Sequence, residues 1–124
     1  MAQMKKILVI DDDPDITDSV KAVLTANGFE VFTAGDGKEG IQAAEKVKPD
    51  LILCDMMMEQ VDAGSRVAQE IKKKHKNIPI FLLSSIGAAT AANIEVDKLG
   101  FSGVLQKPVP PDQMLHVIKK ALHL

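Results

Sequence analysis

The sequence has 124 residues, of which 46% are hydrophobic, and this suits one packed domain with no room for a second. Fifteen basic and seventeen acidic residues give a formal net charge of −2, which argues against DNA or another polyanion as the partner. Lysines precede the first apolar run, but that run is too short for a signal peptide or a membrane span, so the sequence predicts a cytoplasmic protein without membrane insertion.

Two hydrophobic periodicities alternate along the chain. Short apolar runs typical of strands are each followed by apolar residues at helical spacing. The predicted strands are 7–10, 29–33, 51–54, 80–83 and 104–105. The predicted helices are 14–26, 40–47, one marked by Val67 and Ile71, 88–99 and one lined by Met114, Val117, Ile118 and Ala121. Five such units indicate an α/β fold, a doubly wound five-stranded parallel sheet with helices on both faces.

Polar residues follow directly on four of the predicted strands. The carboxyl ends of parallel strands meet at one edge of the sheet, where open α/β sheets place their ligands. Three carboxylates, one hydroxyl and one ammonium group would therefore face each other. They belong to Asp11, Asp12, Asp55, Ser84 and Lys107.

This set of side chains suits a divalent cation and a phosphoryl group. Three converging carboxylates repel one another unless a cation compensates their charge. Carboxylate oxygens suit Mg²⁺, which takes one or two protein carboxylates beside a phosphate-type ligand. Lys107 and Ser84 can stabilise the charge of a transferring phosphoryl group. Asp55 can then be the nucleophile, forming an aspartyl phosphate.

Along its full length the sequence resembles the receiver domain of two-component response regulators. The matching segments are VIDDDPD, Asp55 after DLILC, Ser84 after IFLL, and LQKP, which contains Lys107. The resemblance implies one receiver domain over residues 1–124 with the flavodoxin-like strand order 2-1-3-4-5. It implies a signalling switch whose Asp55 accepts a phosphoryl group from a histidine kinase or a phosphotransfer protein.

The same resemblance implies roles for the individual site residues. Asp12 would be the principal Mg²⁺ ligand, and Asp11 would help through water. Asp55 would also be a metal ligand, and the backbone carbonyl of Met57 would complete the metal shell. Ser84 and Lys107 would bind phosphoryl oxygens and reorient on phosphorylation. No effector domain follows in the sequence, so the output is expected in a partner protein, docked on the fourth helix, fifth strand and fifth helix.

Several positions differ from the family pattern. Glu59 and Ala63 alter the loop after the phosphorylated residue, and Val104 replaces an aromatic residue whose rotamer couples to phosphorylation in the family. Met57 and Ile86 stand where the family's side chains flank the hydrolytic water. Because neither side chain can orient a water, the sequence predicts slow self-dephosphorylation.

The same residues also suggest other interpretations. Aspartates at strand ends often cap helices, and Asp12 or Asp13 can cap the helix that starts at Pro14. An EF-hand loop is excluded because Ile16 and Ala22 stand where that loop needs Gly and Glu. A degenerate receiver that binds a protein without phosphorylation stays an alternative, although all five site residues are present. A phosphatase with an aspartate nucleophile would need a cap for which the chain has no room.

Overall fold

The computed structural model describes residues 4–55, 70–71, 73–75, 77–84, 103–106 and 110–123. Within these ranges the chain forms five strands, three complete helices and part of another helix. The strands are β1 (Lys6–Ile10), β2 (Glu30–Ala34), β3 (Leu51–Asp55), β4 (Ile80–Ser84) and β5 (Gly103–Gln106). The helices are α1 (Pro14–Ala26), α2 (Gly37–Val47) and α3 (Pro111–Ala121). None of the described helices has the length and apolar character needed to cross a membrane.

The five strands form one sheet in the order β2-β1-β3-β4-β5, and every neighbouring pair is parallel. The strand order implied by the family resemblance is therefore confirmed. β1 lies between β2 and β3, with Ile10 paired to Ala34 on one side and to Cys54 on the other. The register brings the carboxyl ends of these three strands to the same edge.

Apolar residues cover both faces of the sheet because successive side chains of a strand point to opposite sides. In β1, Ile7 and Val9 pack in a core with residues of α1 and α3, whereas Leu8 and Ile10 pack in a second core with α2. All four are fully buried. A strand buried on both faces reads as a continuous apolar run, which is the pattern that the sequence shows.

Side-chain caps fix where the first two helices begin. The carboxylate of Asp13 accepts a hydrogen bond from the backbone N–H of Asp15 at 2.9 Å, so Asp13 and not Asp12 caps α1. α2 begins at Gly37, three residues before the predicted start, because Asp36 accepts from the N–H of Glu39 at 2.8 Å. The predicted helix over 88–99 lies outside the described residues.

The third predicted helix is described in part. Glu70, Ile71, Lys73 and Lys74 are helical, and Ile71 is buried in the core beside α2. Lys74 also forms an ion pair with Glu45 of α2. The hydrogen bond and the charge of Lys74 hold the pKa of Glu45 below its usual value. Because both side chains are exposed, the pair contributes little to stability.

α2 approaches β1 most closely at Gly40. A Cβ atom at this position would lie 2.5 Å from Cδ1 and 2.9 Å from Cγ1 of Ile10, which is fully buried. We expect Gly40→Ala to lower the free energy of unfolding by about 1–3 kcal/mol through overpacking. Part of that cost is offset by the higher helix propensity of alanine, about 1 kcal/mol.

Denaturant unfolding measures this effect, and two further variants identify its cause. Ile10→Val lacks Cδ1, so the double variant with Gly40→Ala should recover part of the loss, as expected for two residues in contact. Gln42→Ala changes an exposed position of the same helix and should leave stability nearly unchanged. Equal stability of Gly40→Ala and the wild type would refute the close contact.

Candidate functional site

The site begins at the carboxyl end of β1, where two aspartates differ in exposure. Asp11 is only 2% exposed, and with Thr17 it makes up the buried polar residues of the described part of the chain. Asp12 is exposed. The backbone N–H of Asp11 donates to the carbonyl oxygen of Ala34 at 3.0 Å, so Asp11 continues the pairing of β1 with β2.

Hydrogen bonds from the following turn hold the side chains of Asp11 and Asp13 in place. Oδ1 of Asp11 accepts from the N–H of Asp13 at 2.9 Å, and Oδ1 of Asp13 in turn accepts from the N–H of Asp15. α1 starts directly after this turn, with Pro14 in its first turn. Because a helix N-terminus carries a partial positive charge, it partly offsets the negative charge gathered here.

The sheet register places the backbone of Asp55 at the same edge as Asp11 and Asp12. β3 pairs with β1 up to Ile10 and Cys54, and Asp11 and Asp55 each follow directly on this last pair. Neighbouring strands lie about 4.8 Å apart. Asp55 is also paired with Leu83 of β4. The backbones of Asp11 and Asp55 thus meet at the sheet edge predicted from the sequence.

The other predicted site residues follow the same edge. Ser84 is the last residue of β4 and pairs with Gln106, the last residue of β5. The structure describes the backbone of Ser84, whereas Lys107 and Met57 lie outside the described residues. The roles of Ser84, Lys107 and Met57 stay predictions. The same holds for the slow self-dephosphorylation that is predicted from Met57 and Ile86.

A cavity of about 290 Å³ opens beside the two aspartates. It has room for several waters, since a water molecule occupies about 30 Å³ in the liquid. The hydroxyl of Thr17 donates to the carbonyl oxygen of Pro14 at 3.1 Å, which leaves its lone pairs to accept from other groups. The described lining consists of Asp11, Asp12, Pro14, Thr17, Thr33, Ala34 and Gly35.

The chemistry of this lining fits magnesium. Carboxylate and hydroxyl oxygens are hard ligands, and Mg²⁺ keeps most of its waters while binding one or two carboxylates. Among the residues with described side chains, no group of three or more His, Cys, Asp or Glu residues is placed to hold a metal. Asp11 and Asp12 supply two carboxylates, and the register brings the backbone of a third carboxylate residue, Asp55, to the same edge.

Sequence reasoning missed one wall of the cavity. Thr33, Ala34 and Gly35 form it, and they come from the end of β2 and the loop before α2. One signal for this wall is present in the sequence, because Asp36 and Glu39 have the spacing of a capping box. In the structure, Oε2 of Glu39 accepts from the N–H of Gly35 at 2.8 Å and so holds this wall. The hydrogen bond between Asp11 and Ala34 joins distant parts of the chain and has no local signal.

Comparison with known proteins agrees with this fold. The family model for the response regulator receiver domain matches residues 7–119. The chain is 35% identical over 123 residues to the alkaline phosphatase synthesis transcriptional regulatory protein PhoP of Bacillus subtilis, covering 95% of the chain and 48% of that protein. It is 35% identical over 121 residues to the DNA-binding dual master transcriptional regulator RpaA of Synechocystis, covering 96% of the chain and 49% of that protein.

The chain therefore spans about half the length of these two regulators. Among solved structures it is similar to the chemotaxis response regulator CheY4 of Vibrio cholerae, with a TM-score of 0.88 and 30% identity. That match covers 97% of this chain and 100% of the other. In sequence, in strand order and in overall structure, the chain belongs to the receiver domain family of two-component response regulators.

Proposed function

We propose that the protein accepts a phosphoryl group on Asp55 from a histidine kinase or a phosphotransfer protein in an Mg²⁺-dependent reaction. Phosphorylation then changes its affinity for an output protein. The observation that carries this proposal is the register of β1 and β3, which brings Asp55 to the edge where Asp11 and Asp12 line a polar cavity. Receiver domains of this family generally bind Mg²⁺ at the phosphorylation site.

In the proposed reaction, a carboxylate oxygen of Asp55 forms a bond to phosphorus. The bond between phosphorus and the donor's imidazole nitrogen breaks, and its electron pair stays on that nitrogen. Asp11 and Asp12 hold the cation, which when bound neutralises charge on the phosphoryl oxygens. Ser84 donates a hydrogen bond and Lys107 supplies a positive charge to the same oxygens.

Intact mass after incubation with acetyl phosphate, with and without Mg²⁺, tests the proposal. We expect one phosphoryl adduct that requires Mg²⁺ and is removed by hydroxylamine, as an acyl phosphate should be. If the folded protein forms no adduct with acetyl phosphate or with a phosphorylated phosphotransfer protein, the proposal fails. The protein would then be a binding module that works without phosphorylation.

The adduct is expected to be long-lived. Met57 and Ile86 offer no hydrogen-bonding side chain to orient the hydrolytic water, so the phosphoryl group should persist well beyond seconds in the presence of Mg²⁺. The decay of the adduct mass after removal of acetyl phosphate measures this lifetime. Met57→Asn introduces an amide that can orient a water and should shorten it. Loss of the wild-type adduct within seconds would contradict the prediction.

The output partner is proposed to dock on β5, α3 and the segment 88–99. α3 buries Met114 and Ile118 in the core and exposes His116, Lys119 and Lys120 on its outer side. An exposed helix face of this kind is available to another protein. Comparing the proteins captured by the phosphorylated and unphosphorylated forms would identify the partner.

The cytoplasmic location stays a prediction from the sequence.

A further inference from the structure

One peptide group connects α2 to the acidic end of β1. This group joins Ala34 to Gly35. Its N–H, from Gly35, donates to Oε2 of Glu39 at 2.8 Å, and its carbonyl oxygen, from Ala34, accepts from the N–H of Asp11 at 3.0 Å. Because a peptide group is planar and rigid, a displacement at one of these hydrogen bonds is transmitted to the other.

The Glu39 end of this connection is held by the start of α2. The N–H of Glu39 donates to Oδ1 of Asp36, the residue that caps the helix. Carboxylates are favoured in this position by the helix dipole.

The Asp11 end of the connection lies inside the proposed cation site. Asp11 is buried, and Gly35 lines the same cavity as Asp11 and Asp12. Two elements of the site, the backbone of Asp11 and the opposite wall, are therefore tied to one exposed side chain.

We propose that Glu39 is a positioning residue for the cation site. Through the peptide group between residues 34 and 35 it fixes the backbone of Asp11 and the wall formed by Gly35. The effect of Glu39 on metal binding rests on the proposed function, whereas its positioning of the Asp11 backbone does not.

Three substitutions of Glu39 separate this role from charge. Glu39→Gln removes the charge and keeps an oxygen that can accept from Gly35. Glu39→Asp keeps the charge but is one methylene shorter, so its carboxylate falls short of the N–H of Gly35. Glu39→Ala lacks both properties. Lys38→Gly is the matched control, because it weakens the start of α2 at an exposed position whose side chain bonds neither to Glu39 nor to the 34–35 peptide.

Amide hydrogen exchange of Asp11 without metal and Mg²⁺ titration followed by amide chemical shifts are the two measurements. In Glu39→Ala and Glu39→Asp we expect faster exchange of the Asp11 amide and an Mg²⁺ dissociation constant raised about 3- to 10-fold. This increase is smaller than the roughly 10- to 100-fold loss of affinity that is typical when a group bonded directly to a metal ligand's side chain is removed. Glu39→Gln should stay within about twofold of the wild type, because it retains the hydrogen bond.

Two results would overturn the inference. The first is that Asp11 exchange and Mg²⁺ affinity change equally in Glu39→Ala and Lys38→Gly, which would trace the effect to helix stability. The second is that Glu39→Gln is as impaired as Glu39→Ala, which would trace it to charge. A wild-type protein that bound no Mg²⁺ would refute the proposed function instead, and the Asp11 exchange rates would still decide whether Glu39 positions this residue.

Discussion

Asp55→Asn is expected to remove phosphorylation completely while leaving the protein folded. Asparagine has nearly the same shape as aspartate, so β3 and its pairing with β1 and β4 should persist. Its neutral amide lacks the ionised carboxylate that attacks phosphorus. After incubation with acetyl phosphate and Mg²⁺, intact mass should show no adduct, whereas the wild type should carry one.

The matched control for this variant lies just before the same strand. Asp50 precedes β3, and its Oδ2 accepts from the N–H of Lys6 at 2.8 Å. Asp50→Asn keeps an oxygen that can accept this hydrogen bond, and it removes one negative charge far from the acidic edge. It should be phosphorylated like the wild type. Equal labelling of Asp55→Asn and Asp50→Asn would show that another residue accepts the phosphoryl group.

Asp12→Asn is expected to weaken Mg²⁺ binding by about 10- to 100-fold. Loss of a group that only supports a metal ligand has an effect of this size, and loss of a ligand should have at least the same effect. The substitution removes a charged oxygen ligand from the cavity. Because Asp12 is exposed, the fold should be retained. Without metal the variant should be as stable as the wild type or slightly more stable, because one carboxylate beside Asp11 no longer repels its neighbours.

Calorimetric titration and thermal unfolding both test this prediction. A ligand that binds only the folded protein stabilises it by about 2.7 kcal/mol at a concentration 100 times its dissociation constant. Added Mg²⁺ should therefore raise the melting temperature of the wild type and have far less effect on Asp12→Asn. Asp15→Asn, an exposed position in the first turn of α1, should bind Mg²⁺ nearly as well as the wild type. An equal loss in both variants would indicate general electrostatic attraction and not a ligand at Asp12.

The sheet was predictable because its strands are buried on both faces. Such strands appear as uninterrupted apolar runs, and all of Ile7 to Ile10 are fully buried as that pattern requires. Strand order could not be obtained from the runs themselves, since neighbours in a parallel sheet are set by long-range packing. It came from the family resemblance, and the paired strands confirm it.

The position of the candidate site residues at strand ends was predictable. A change from apolar to polar residues marks the end of each run and places Asp11, Asp12, Asp55 and Ser84 at one edge of the sheet, whereas their roles stay predictions. The wall from Thr33 to Gly35 was missed because it depends on a hydrogen bond between Asp11 and Ala34, which are far apart in the sequence. The start of α2 was placed too late because the glycines before it suggest a turn, whereas the cap provided by Asp36 extends the helix to Gly37.

The residues with proposed roles fall into two consecutive stretches of the chain. β1, β2 and β3 are complete by Asp55, and every predicted magnesium ligand lies at or before Met57. Ser84 and Lys107, which are proposed to contact the phosphoryl group, belong to the later stretch with β4, β5 and α3. In the proposed function, the cation ligands and the phosphoryl acceptor therefore lie in one continuous stretch of chain, and the surface that contacts the output protein lies in the other.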